Sequence, residues 1–339
     1  MRPAARPPVE RRRREGGAAV LVAIFVVALA TIIVSDLFWR QFVLFRTIEN
    51  QQTGAQARLL LHGAQDWARA ILQDQTHPTY DALSDPWAQP LAQTRLDQLG
   101  ETAPVAAQAT LEGGIEDAQA RFNLRNLLDS SGAVNPVQLA VLDKLAGLLG
   151  APGGTAGLVA KYLKQAYAGA PPAASAGGFA APGGAPLPVT GFVPLAGSSR
   201  PLPPVFPLDL AGVPGIDPGT ALALSQFVIL LDQTNTPINF NTAGPEIMAA
   251  AIPDLSISDA NALAAERDRA YFTSIGDVQN RLHGRGGVVS VAGISTNSQY
   301  FIVHGTVRLD RAATSMQALV RRFGTGAQTG VDVLWEREP

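Results

Sequence analysis

Residues 18–35 are eighteen consecutive uncharged positions, of which only Thr31 and Ser35 are polar. A helix needs about 20 apolar residues to cross a bilayer core, so this run just spans, with Asp36 at the interface. Past Asp36 the pattern turns from solidly apolar to periodic. Ala57, Leu60, Ala64, Trp67 and Ile71 share one helical face, and Arg58, His62, Gln65, Arg69 and Gln73 share the opposite one. No proline falls between Pro8 and Pro78, so residues 18–73 are predicted as one helix of 56 residues, about 84 Å long. Trp39, beside Arg40, sits where an interfacial aromatic is expected. Trp67 is expected in a helix–sheet core.

The rest of the pattern comes in shorter pieces. Residues 79–88 are turn-rich, and residues 108–124 read as a strand or hairpin around Gly113-Gly114. Residues 137–149 and 158–167 read as helices, separated by Gly150-Ala151-Pro152-Gly153-Gly154. From Tyr167 to Pro204, seven Gly and nine Pro fill 16 of 38 positions and Arg200 is the one charge. Such a segment cannot bury apolar area regularly, so a flexible loop or insertion is expected. Residues 208–282 return to helical spacing, cut at Pro214-Gly215, Pro237 and Pro253. Residues 300–309, 315–323 and 330–335 read as strands of an antiparallel meander.

These elements predict an α+β fold, a long helix packed on an antiparallel sheet that a helical insertion splits in sequence. The divisions expected are a basic leader 1–17, a stem 18–73, a first part of the sheet domain 74–125, a helical insertion 126–285 and C-terminal strands 286–339. The Gly/Pro-rich segment 167–204 lies inside the insertion.

Charge alters the reading of the N-terminus. Residues 2–14 carry six arginines against one acid, Glu10. Such a cluster stays in the cytoplasm and places everything after Asp36 across the membrane. A secretory signal peptide cut near Ala28-Leu29-Ala30, a plain signal anchor and a pilin-like stem all begin this way. A cleaved signal has no need to merge into a long amphipathic helix, which favours the stem. Elsewhere composition mainly excludes. The net charge is −2 and there is no cysteine, which removes disulfides, thiolate metal sites and a cysteine nucleophile. No nucleophile elbow, His-Glu-x-x-His or phosphate loop occurs. The chain therefore reads as a non-enzyme. Glu266, Arg267, Asp268 and Arg269 alternate in sign as on a solvated, salt-bridged helix face.

The leader ends Arg14-Glu15-Gly16-Gly17 before the apolar run. It resembles a prepilin peptidase site, with cleavage after Gly17 and Ala18 as a new, N-methylated terminus. The fifth mature position, a glutamate in most pilins, is Val22, and no acid follows until Asp36. Further along come Tyr80-Asp81, Trp87-Ala88, Glu116-Asp117 and Arg121-Phe122-Asn123-Leu124. Pro237-Ile238-Asn239-Phe240-Asn241-Thr242-Ala243, Tyr300-Phe301-Ile302 and Val333-Leu334-Trp335 complete the series. In that order, with the missing stem glutamate, they resemble the minor pseudopilins of type II secretion, specifically the general secretion pathway protein K family. Ala120 replaces the family's usual glycine, Arg125 stands where a second asparagine is common, and the Gly/Pro-rich segment looks expanded.

The resemblance implies a type IV pilin-like fold with an insertion of SAM or helix-hairpin-helix kind. It implies a single-pass inner-membrane protein with a periplasmic globular domain, processed by prepilin peptidase. It further implies a place in a pseudopilus tip complex with I-type and J-type minor pseudopilins, initiating assembly for export across the outer membrane. The shaft and the inner-membrane secretion platform would be further partners. Calcium, with no organic cofactor, is implied for the globular domain.

Glu116, Asp117 and Asn123 are candidate calcium ligands, being oxygen-bearing side chains near a predicted turn, as hard cations require. Alternatively, Asp117 and Asn123 satisfy backbone N–H groups of an irregular turn. Asp129-Ser130-Ser131-Gly132 opens like a calcium loop but lacks its alternating acids and final glutamate, and reads as a turn.

A rival functional class comes from residues 237–282, which resemble the helix-hairpin-helix module of competence-type, membrane-anchored DNA-binding proteins. That module needs glycines so that backbone N–H groups can reach phosphate. Here Asp254-Leu255-Ser256 occupies the hairpin, and the other candidate, Val213-Pro214-Gly215-Ile216-Asp217, also ends in an acid. From 206 to 300, nine acids face four arginines, against the basic footprint that phosphate binding requires. Nucleic acid is not an expected partner.

Overall fold

The computed structural model describes residues 16–75, 77–99, 108–168, 201–282, 293–310, 312–324 and 329–338. Most of the leader, most of the Gly/Pro-rich segment and residues 283–292 lie outside these.

Helix α1 is Gly16–Gln73, 58 residues, about 87 Å. Its outer end lies on a sheet through Ala57, Leu61, Gln65, Ala68 and Leu72, the residues it buries. This corrects the expected stripe. Leu60, Ala64 and Ile71 fall to the flank, and Trp67 is 47% exposed rather than a core residue. Both faces of this stretch carry apolar residues, and the small Ala57 and Ala68 let the helix approach the sheet closely. The face read as polar then lies along the last strand. Arg58 Nε meets Glu338 at 2.7 Å, Gln65 Nε2 meets Glu336 at 3.3 Å, and Arg69 donates to the Val331 carbonyl at 3.1 and 2.9 Å.

The strands are β1 (Leu91–Arg95), β2 (Ala109–Asp117), β3 (Phe122–Asn123), β4 (Val228–Ile229), β5 (Ile238–Asn239), β6 (Ile294–Ser295), β7 (Tyr300–Leu309), β8 (Ala312–Phe323) and β9 (Gly330–Arg337). Five of them form one antiparallel sheet in the order β1-β2-β7-β8-β9. The β7–β8 hairpin pairs Leu309 with Ala312, and Asp310 turns it at φ 52°, the left-handed conformation that two-residue hairpins need. Gly113 of β2 is obligatory in a different way: a Cβ there would lie 2.4 Å from the His304 carbonyl oxygen.

Alternation along β7 gives the sheet two working faces. Phe301, Val303 and Val307 turn to α1, where they meet Ala57, Leu61, Ala68, Leu72 and Trp87 in two adjoining clusters. Tyr300 and Ile302 turn the other way, onto Ala118, Ile229 and Leu231.

All of residues 118–299 is the connection between the neighbouring strands β2 and β7. It holds helices α2 (Pro136–Leu148), α3 (Thr155–Tyr167), α4 (Pro218–Ser225), α5 (Pro245–Ala251), α6 (Ile257–Arg269) and α7 (Ile275–Leu282). Local chemistry starts them. Asn135, Asp217 and Ser256 cap α2, α4 and α6, and proline opens α2, α4 and α5. These helices enclose their own core, with Phe122, Leu145, Leu163, Phe240, Met248 and Phe272 fully buried. Two short parallel pairs, β3–β4 and β5–β6, tie its entry and its exit to its middle.

Candidate functional site

Two regions combine unusual exposure or unusual burial: the inner half of α1, and the neck where the insertion joins the sheet. On α1, the large apolar residues from Val20 to Phe45 are exposed, and Val22 is 62% exposed. Several polar groups in this stretch and just beyond it are satisfied within the helix itself. Thr31 and Thr47 donate to the Val27 and Val43 carbonyls, Asp36 pairs with Arg40 at 2.8 Å, and Arg46 pairs with Glu49 at 2.8 Å. Such self-satisfaction lowers the cost of an apolar surrounding. Among the described residues this is the one helix long and apolar enough to cross a membrane.

At the neck, Asp117 ends β2 and is only 6% exposed. Oδ1 accepts from the Gln119 N–H at 2.7 Å. Oδ2 accepts from Asn239 Nδ2, Thr242 Oγ1 and Ser298 Oγ at 2.8, 2.5 and 2.6 Å. Burial pushes its pKa up to about 6, with Asp81 adding to the rise; the Ser298, Thr242 and Gln119 donors oppose it. The backbone N–H of Ser298 donates to Asp81 Oδ2 at 2.7 Å. Arg322 Nη2 donates to both Asp81 oxygens, at 2.7 and 2.6 Å, and to the Ser298 carbonyl at 2.8 Å. Ser298 thus joins two buried carboxylates, of which only Asp81 is bound by the Arg322 guanidinium.

Amides complete the neck. Gln119 donates to the Pro237 carbonyl and accepts from the Gln299 and Tyr300 N–H groups. Asn123 Oδ1 accepts from the Arg125 and Leu231 N–H groups, while Nδ2 donates to the Gln233 carbonyl and Thr236 Oγ1. Asn126 brackets Thr236, and Asn241 brackets Phe272, each using both ends of its amide.

The three candidate calcium ligands therefore do not converge on one ion. Glu116 lies on the exposed side, 2.7 Å from Arg121. Both oxygens of Asp117 and the one oxygen of Asn123 are already taken by N–H and O–H donors. Calcium does not fit this set. Among the described residues no group of three or more His, Asp or Glu could hold a metal ion. Asp129 accepts from the Ser131 N–H, Ser131 Oγ and the Ala133 N–H, and these bonds, the Ser131 hydroxyl first, hold its carboxyl below the usual range. Gln119 and Asn126 are not singled out in the sequence, and Asn239 and Asn241 appear there only within the stretch that carries the resemblance, not as site residues. Their signal was an amide alternating with apolar residues, as in Asn239-Phe240-Asn241.

The hairpin of α5 and α6 spends its polar groups internally. Ser256 Oγ accepts from the Asp259 N–H at 3.1 Å and donates to the Asp259 carboxylate at 2.6 Å. At the other candidate hairpin, Asp217 accepts from the Thr220 N–H at 3.0 Å. Backbone donors that a phosphate would need are thus already taken, by the Ser256 hydroxyl in one hairpin and the Asp217 carboxylate in the other. Arg267 departs from the expected solvated face: it is buried and donates to the Phe240 and Ala243 carbonyls, as well as to Asp268.

Comparison with known proteins adds two findings. Residues 238–297 match the family described as type II secretion system protein K. The matched stretch begins at β5 and includes the α5–α6 hairpin and the return segment through Asn297. The chain also superposes on a solved structure from the GspK-GspI-GspJ complex of the type 2 secretion system of enterotoxigenic Escherichia coli. Identity is 20% and the TM-score 0.62, over 86% of this chain and 98% of that one. No curated protein matches. At that identity the structural likeness is one of fold: long helix, antiparallel sheet and added helices. The family match carries the likeness in sequence, and together they bear out the resemblance to the K family.

Proposed function

We propose that this chain is a minor pseudopilin that sits at the tip of a type II secretion pseudopilus and helps to initiate its assembly. One observation carries the reading. A single helix leaves its inner apolar residues wholly exposed while its outer turns form the core of a folded domain. The 21 residues from Ala19 to Trp39 span about 30 Å, the thickness of a bilayer core.

In this reading the leader arginines hold the N-terminus in the cytoplasm, with the globular domain in the periplasm. Prepilin peptidase cuts after Gly17, removing the arginines, and Ala18 becomes the methylated terminus. Losing that charge lowers the cost of drawing the stem out of lipid. Val22 cannot accept a bond from a neighbour's amine as a glutamate would, so the subunit lacks a handle on any subunit above it and begins the filament. A connection of 182 residues between β2 and β7 suits an end position better than a place along the shaft. The partners are I-type and J-type minor pseudopilins, by likeness to the complex containing GspK.

Intact-mass spectrometry of the protein from membranes, with and without prepilin peptidase, tests this. The expected mature chain starts at Ala18, carries one methyl group and appears only with the peptidase. An N-terminus near Thr31 that forms without the peptidase refutes the reading.

A further inference from the structure

The turn between α5 and α6 presents three carbonyl oxygens to one point. Lys144, from the middle of α2, places its ammonium there, 2.8 Å from the Ile252 oxygen, 2.7 Å from Pro253 and 2.9 Å from Leu255. An ammonium has three N–H donors, and all three are matched by this turn. The carbonyls follow the C-terminal end of α5, where the helix dipole favours positive charge. Ile252 and Leu255 are themselves buried, while Pro253 and its contact with the ammonium lie toward solvent. Burial lowers the Lys144 pKa while the Asp254 carboxylate opposes the change.

Convergent backbone carbonyls are hard-oxygen ligands, and rings of them are how proteins replace the hydration shell of a monovalent cation. Potassium and ammonium ions approach such oxygens at distances like those of Lys144. We propose that the turn Ile252–Leu255 is a monovalent-cation site whose resident is the protein's own Lys144 ammonium. The hairpin that resembles a phosphate-binding module is thereby closed without a free ion, and offers none that could bridge to a phosphate. This inference stands independently of the pseudopilin reading.

The test uses the full chain in mild detergent. Thermal unfolding of the wild type and Lys144→Met is compared in equal concentrations of ammonium, potassium and tetramethylammonium chloride. The wild type should unfold at one temperature in all three salts. Lys144→Met should fall by about 4–8 °C in tetramethylammonium and regain part of that loss in ammonium or potassium. Because this variant can fail to fold, a second measurement keeps the native lysine. The chain has only three lysines, Lys144, Lys161 and Lys164, so Lys161→Arg with Lys164→Arg leaves one ammonium to observe by ¹H–¹⁵N correlation. Its protons should exchange slowly enough with water to be seen near neutral pH. Equal midpoints for Lys144→Met in the three salts, or a Lys144 ammonium that exchanges as fast as a free lysine, overturns the proposal.

Discussion

The buried carboxylate of Asp117 makes a quantitative prediction about pH. Its folded pKa is about 6, against an ordinary 3.8, chiefly because burial disfavours the charged form. Ionised Asp117 therefore costs the folded state about 3 kcal/mol relative to the unfolded chain. A raised carboxyl pKa means that the folded state binds the extra proton between 3.8 and about 6. The full cost is present above about pH 6. It is relieved as pH falls through that window, and is gone below 3.8. The contribution of this group should thus make the protein more stable on going from pH 7.5 to pH 4, by about 2–2.5 kcal/mol.

Other groups titrate over the same range, so the test is a difference between two proteins. Asp117→Asn removes the titration. The Ser298 and Thr242 hydroxyls can reverse to accept from the new amide, while Asn239 stays held by the Asn241 N–H. Whatever this rearrangement costs is the same at every pH. Urea unfolding, followed by tryptophan fluorescence in detergent at intervals from pH 4 to 7.5, should show the wild type gaining about 2–2.5 kcal/mol more than Asp117→Asn as pH falls. Parallel pH profiles for the two proteins would refute the reasoning, and so would a wild type that gains less than the variant.

Two further comparisons of variants follow from the packing. Arg322→Met leaves the Asp81 carboxylate buried without its cation and should cost about 3–5 kcal/mol in the same unfolding assay; Asp81→Leu combined with Arg322→Met should cost markedly less than Arg322→Met alone. Leu72→Ala, inside the helix–sheet core, should cost about 2–5 kcal/mol, whereas Trp67→Ala, half-exposed on the flank, should cost less than about 1 kcal/mol. Reversal of that order would return the helix to the stripe expected from its periodicity.

Much of this protein is determined by local rules that the sequence states openly. The apolar run 18–35 and the absence of proline up to Pro78 dictate one long helix, because backbone hydrogen bonds propagate cheaply once nothing interrupts them. Residues 300–309 and 315–323 read as strands and match β7 and β8, whereas the caps at Asn135, Asp217 and Ser256 emerge only with the structure. What the sequence leaves open is the rotation of α1 on its sheet. Apolar side chains lie on both faces near residue 60, and contact with β7, β8 and β9 through the two alanines selects the buried stripe. The neck was equally hidden. Asp117 meets Asn239, Thr242 and Ser298 from 122, 125 and 181 positions away, and no local pattern reveals partners at that separation. Glu116, Asp117 and Asn123 looked like one cluster because they are close in the chain. The strand pleat sends Glu116 and Asp117 to opposite sides, and a buried carboxylate takes whatever donors surround it, so tertiary structure alone decided that these oxygens would hold the insertion to the sheet.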